Sequence, residues 1–213
     1  ISRQDHIRAW DLGTGKILNT FRGPGAGVRQ IRISPDSKHL AITDRENVIR
    51  VWKLSSFRGI SEFISDSDGV FKTIAISPDS STLVSNSDLG QIEVRSLQSG
   101  ELVAALRNDM VDYFVQFGFS PDGVHLAAVN IDGQVQIWNM LTGKIVNRFS
   151  LGDSALVPAM AYSPDGELLA VHGGGMESET LVWDLGSDSL KFTVPRAAIG
   201  DAKIQFSPDS SIL

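Results

Sequence analysis

Five times along this 213-residue chain the run Ser-Pro-Asp recurs, each time followed by Gly or Ser, with prolines at Pro35, Pro78, Pro121, Pro164 and Pro208. The intervals are 43, 43, 43 and 44 residues. A fixed period of roughly 20 to 50 residues marks a stack of like units instead of one irregular domain. The period overrides the length, which alone suggests one or two domains.

Aligned on those prolines, each unit holds four short apolar segments. In the third complete unit they are 114–119, 125–129, 135–138 and 145–149. They are rich in β-branched and aromatic residues and alternate with polar ones, the pattern of strands. Between the first two, Ser-Pro-Asp-Gly or Ser-Pro-Asp-Ser sets Pro where a turn needs its fixed φ. Between the last two lie further turn residues, such as Thr142-Gly143-Lys144. A Trp stands 17 residues after the proline at Trp52 and Trp138, and Arg95 takes that place in the unit between them. Two residues beyond it comes an apolar residue every time: Leu12, Leu54, Leu97, Met140 and Leu185. These predict packing between neighbouring units. The fold expected is all-β, a propeller of four-stranded antiparallel blades.

Trp10-Asp11 and Trp183-Asp184, with Trp52-Lys53 and Trp138-Asn139 at equivalent places, resemble the WD-repeat family of β-propellers. So does the run before each first turn, as in Gln116-Phe117-Gly118-Phe119-Ser120-Pro121-Asp122-Gly123. The resemblance spans essentially the whole chain. Propellers of the looser Tyr-Val-Thr-Asn type stay open as an alternative. The family's buried Asp-His-Ser-Trp network is incomplete in every unit, because no His stands before a first strand; Asp132 matches its Asp best.

The expected organisation is a half blade at 1–22, complete blades at about 23–66, 67–109, 110–153 and 154–197, and a half blade at 198–213. The closing half blade is read as strands 202–206 and 211–213. Because the two halves are complementary, two arrangements are open. One is a piece of a larger propeller, in this family of about seven blades. The other is a closed five-blade ring, which would leave no open edges. Two chains completing each other's half blades are a third, as self-association.

Composition narrows the chemistry. With no Cys, disulfides, thiol nucleophiles and thiolate metal sites are excluded. A net charge of −6 offers no general pull toward nucleic acid or an anionic membrane. No apolar run reaches the ~20 residues of a membrane helix. Cytoplasm is the expected location. His172-Gly173-Gly174-Gly175 resembles an oxyanion loop, but no Gly-x-Ser-x-Gly elbow accompanies it. Gly152-Asp153-Ser154 reads as a connection between blades. Asp66-Ser67-Asp68-Gly69 lacks the closing Glu of a calcium loop, since Ser77 stands there. His6, His39, His125 and His172 have no metal-ligand spacing. The sequence therefore predicts no catalytic residue, no metal and no cofactor.

Near the axis of such a propeller the first strands present Arg32, Ala75, Gly118, Ala161 and Gln205. Arg32 and Gln205 are the expected channel-lining pair. Arg22, Arg29, Arg32 and Lys38 form a basic patch without interleaved aromatics, so it reads as a solvated face. The expected function is a non-catalytic scaffold that binds partner proteins or peptides through its loops. The resemblance places the loops joining second to third strands on one face with the blade-to-blade connections. There Arg45, Asp88, Asn130, Asp132, His172, Met176 and Glu177 are the partner-binding candidates. Two other readings remain: a regulatory or sensing propeller of a larger signalling enzyme, and a propeller hydrolase or lactonase built on a channel metal.

Overall fold

The computed structural model describes residues 6–22, 27–46, 48–56, 58–64, 73–86, 91–107, 114–130, 132–151, 159–173, 179–195 and 204–213. Strands β1 (His6–Trp10) and β2 (Ile17–Arg22) form a two-stranded sheet. Four sheets of four antiparallel strands follow, each a meander in chain order. Sheet A comprises β3 (Val28–Ile33), β4 (His39–Asp44), β5 (Val48–Lys53) and β6 (Arg58–Ile64). Sheet B comprises β7 (Ile74–Ile76), β8 (Thr82–Asn86), β9 (Ile92–Ser96) and β10 (Leu102–Leu106). Sheet C comprises β11 (Phe114–Phe119), β12 (His125–Asn130), β13 (Gln134–Asn139) and β14 (Lys144–Ser150). Sheet D comprises β15 (Ala159–Tyr162), β16 (Leu168–His172), β17 (Thr180–Asp184) and β18 (Ser189–Val194). All-β architecture with four-stranded antiparallel sheets is therefore what this repeat builds.

Consecutive sheets lie against one another. The first strands are neighbours in series: β3 beside β7, β7 beside β11, β11 beside β15. Side chains alternate across each strand, so one strand serves two interfaces. On β12, Leu126 and Ala128 meet Val84, Ile92, Val94 and Leu106 of sheet B. Ala127 and Val129, on the other side, meet Met160, Leu169 and Val171 of sheet D. Both faces of a middle strand are therefore buried, and its run reads as nearly continuous apolar residues. Each buried Val, Leu, Ile or Met among them contributes ~1.5–3 kcal/mol.

Aromatic residues close the same interfaces. Trp138 is fully buried against Phe114, with centroids 5.4 Å apart and planes at 87°. Trp183 stacks on Phe149 of the preceding sheet at 4.2 Å and 2°. Leu54, Leu97, Met140 and Leu185 all join an inter-sheet cluster, as their spacing predicts. Leu12 does not: it is 98% exposed. Among the described residues the two-stranded sheet has no sheet before it to cover that side chain.

Two hydrogen-bond clamps reinforce the first strands. The Ile74 amide donates to Gln30 Oε1 at 2.8 Å, and Gln116 Nε2 donates to the Met160 carbonyl at 3.3 Å. Gln30 and Gln116 occupy the same place in their units. Between them stands Thr73, which is buried.

Every third-to-fourth strand pair slips register at the Trp position. The shift lies at Ala9/Trp10, Val51/Trp52, Ile137/Trp138 and Val182/Trp183. Sheet B does the same opposite Arg95, between Leu102 and Ala104. The bulged residues left between paired neighbours are Leu18, Ile60, Val103, Val146 and Lys191. A bulge re-aims its side chain.

One strand expectation fails. Residues 204–213 form a turn and carry no strand. Ser207 and Ile212 still exchange a backbone bond at 2.8 Å, but a lone hairpin is marginal without a third strand beside it. Phe206 nonetheless packs on Ala170 and Val182 of sheet D.

Candidate partner-binding face

Antiparallel connection gives each sheet two ends. One carries the Ser-Pro-Asp turns and the third-to-fourth turns. The other carries the second-to-third turns and the links between sheets.

The Ser-Pro-Asp end is built identically five times. In sheet C the Ser120 hydroxyl donates to Asp122 Oδ1 at 2.5 Å and accepts from the His125 amide at 2.9 Å. Asp122 Oδ1 also accepts from the Val124 amide at 3.0 Å. Ser34/Asp36, Ser77/Asp79, Ser163/Asp165 and Ser207/Asp209 repeat the pattern. These bonds hold all five carboxyls below the ordinary carboxylate range, the serine hydroxyl being the largest cause. The fourth residue adopts positive φ: Ser37 at 57°, Ser80 at 60°, Gly123 at 73°, Gly166 at 76°, Ser210 at 60°. That residue also touches the preceding turn. Ser80 Oγ accepts from the Asp36 amide at 3.0 Å, and Ser210 Oγ from the Asp165 amide at 3.2 Å. Where the residue is glycine, a Cβ would stand 3.5 Å from Pro78 or 3.6 Å from Pro121. The hydroxyls of Ser80 and Ser210 and the close approach of Gly123 and Gly166 thus knit the turns in a row.

At the opposite end, equivalent residues cap the second-to-third turns. Asp44 Oδ1 accepts from the amides of Glu46 and Val48, both at 2.9 Å. Asn130 Oδ1 accepts from those of Asp132 at 3.1 Å and Gln134 at 2.8 Å. Asp44 is fully buried and pairs through Oδ2 with Arg50 at 2.8 Å; Arg50 reaches Glu62 at 3.2 Å. In sheet C the place of Arg50 is taken by Gln136, also fully buried.

The candidate residues separate on this frame. Arg45 and Asp132 are exposed at the turn tips. Asn130, 1% exposed, serves the turn from within instead of facing outward. His172 is half-buried, its Nδ1 2.9 Å from Thr180 Oγ1. Asp88, Met176 and Glu177 lie outside the described residues. Arg32 and Gln205 are both exposed, and no hydrogen bond or ion pair joins them. Arg32 Nη1 instead donates to the Ile31 carbonyl at 3.1 Å.

The Trp138 indole donates to the Arg107 carbonyl at 3.3 Å. Among the described residues no three His, Asp or Glu side chains are grouped to hold a metal ion. No helix among them is long and apolar enough to cross a membrane. Sequence reasoning passed over Asp44, although its place before a turn in an Asp-x-x-x-Val run is the signal for a cap.

Meandering four-stranded sheets, lined up along their first strands and spaced by one repeat, define a β-propeller-type array. The profile of the WD domain, G-beta repeat, matches residues 15–53 and 108–139. Those two stretches of the chain are WD repeats by that match. The chain is similar to nuclear distribution protein PAC1 of Arthroderma otae, 35% identical over 54 residues. PAC1 proteins of Arthroderma benhamiae and Trichophyton verrucosum are each 37% identical over 54 residues. Each match covers 25% of this chain and 12% of the relative.

Proposed function

We propose that the chain is a non-catalytic scaffold that binds partner proteins or peptides through its second-to-third turns and sheet-to-sheet links. The carrying observation is that Asp44 and Asn130 fix equivalent turns by the same bonds and each turn displays an acid, Glu46 or Asp132, whereas the residue before that acid differs in sequence, Arg45 in one and Ile131 in the other. A rigid frame with variable loops is the arrangement that positions binding residues. WD repeats, and relatives named for nuclear distribution, support the same class of role. Asp88, His172, Met176 and Glu177 belong to this proposed face by their place in the repeat, and cytoplasm is its proposed setting.

The test is quantitative capture. Proteins retained on the wild-type chain are compared with those retained on Arg45→Ala/Asp132→Ala protein of equal melting temperature. The proposal expects one or more specific partners to fall severalfold. An unchanged set of partners overturns the assignment of this face.

A further inference from the structure

The repeats act as their own control: what all units share builds the sheets, and what one unit adds needs another explanation. Three residues past the Trp position stand Gly13, Ser55, Gln98, Leu141 and Gly186. Four units use a small or polar residue there, so the turn itself does not ask for an apolar one. Leu141 is nonetheless 83% exposed. It borders a groove of about 340 Å³ between sheets B and C, on the Ser-Pro-Asp side. Opposite it lies Val103, the bulged residue of β10, 62% exposed. Phe119 and Met140 line the groove with them.

The charged residues of that lining are Asp79 and Asp122. Among the described residues no Lys or Arg lines the groove. The equivalent turn of sheet A differs, because Asp36 has Lys38 at 3.6 Å beside it, where Ser81 and Val124 stand in sheets B and C. Serine and backbone donors keep Asp79 and Asp122 ionised at neutral pH. The groove thus pairs exposed aliphatic walls with negative charge, on a chain of net charge −6.

We propose that the groove between sheets B and C, walled by Val103 and Leu141 and edged by Asp79 and Asp122, docks an extended partner segment. That segment carries adjacent aliphatic side chains next to a Lys or Arg. The aliphatic pair covers Val103, Phe119, Met140 and Leu141, and the cation lies against the two carboxylates. The site is distinct from the Arg45 and Asp132 face, since it occupies the other end of the strands.

Random dodecapeptides displayed on phage, selected on the immobilised chain, test it. Enriched peptides are titrated by fluorescence polarisation against wild type, Leu141→Gln and Val103→Lys. Both substitutions copy residues already found at those repeat positions, Gln98 and Lys191, so the fold accepts them. The expected result is enrichment of aliphatic–basic peptides, Kd raised at least tenfold by either substitution, and weaker binding as salt rises. No enrichment over a bare surface, selected peptides lacking a base, or equal binding by Leu141→Gln overturns it. So does a wild-type dimer in sedimentation that Leu141→Gln makes monomeric, because the occupant is then a second copy. Arg45→Ala/Asp132→Ala protein is expected to bind the peptides normally, which separates failure here from failure of the loop face.

Discussion

At the residue scale, the Ser-Pro-Asp turn is a charge-assisted clasp with one strained position. Ser37 sits at φ 57°, where a side chain costs ~1–2 kcal/mol relative to its usual regions. Glycine carries no such cost. Ser37→Gly should therefore raise unfolding stability by about 0.5–1 kcal/mol in a urea titration. Ser80→Gly should gain less, because its hydroxyl accepts from the Asp36 amide. The carboxyls make the clasp acid-sensitive. Asp209 is held to about 2 from an ordinary 3.8, first by the Ser207 and then by the Ser211 hydroxyl. A depressed folded pKa contributes stability that is present above the unfolded value and lost as pH falls through the folded one. Melting temperature should thus hold steady down to about pH 4 and fall between there and about pH 2. A flat profile across that window would contradict the clasp.

At the element scale, each meander is tuned by who faces whom across the sheet. Asp44 and Arg50 form a buried pair in sheet A; Asn130 and Gln136 stand at the same two places in sheet C. Asp44→Ala removes both the turn cap and the partner of Arg50. It should cost about 3 kcal/mol in chemical denaturation, Glu62 retaining part of the guanidinium's pairing. In Gln136 neither amide atom has a hydrogen-bond partner, although the side chain is fully buried. Gln136→Met keeps the shape and removes that desolvated amide, so it should stabilise by about 1 kcal/mol. The strands and turns were legible in the sequence because alternation and Ser-Pro-Asp are local signals. The bulges at Leu18, Ile60, Val103, Val146 and Lys191 were not, since a bulge shows only in the pairing of two strands. Nor was the failure of 204–213 to form strands, which depends on what pairs beside it. Of the candidate site, Arg45 and Asp132 were legible as turn tips. The burial of Asn130 was not, because an Asn before a turn looks the same whether it caps or is displayed.

At the scale of the whole molecule, one division organises the chain. Residues that repeat build interfaces and turns; exposed residues that depart from the repeat are the ones proposed to meet partners. Trp138, Ser120 and Leu126 belong to the first group, and Arg45 and Leu141 to the second. The groove was missed by motif reading because Leu141 belongs to no motif; comparing the five units column by column is the signal that finds it. Folding stability and binding should therefore respond to different substitutions. The most direct measurement is the equilibrium unfolding of Ser120→Ala beside that of Leu141→Gln, both in sheet C and both small changes. Ser120→Ala leaves the Asp122 carboxylate without its hydroxyl donor and the His125 amide without its acceptor. It is predicted to lose about 1–3 kcal/mol, whereas Leu141→Gln is predicted to stay within about 0.5 kcal/mol of wild type. A Leu141→Gln protein destabilised as much as Ser120→Ala would contradict the division.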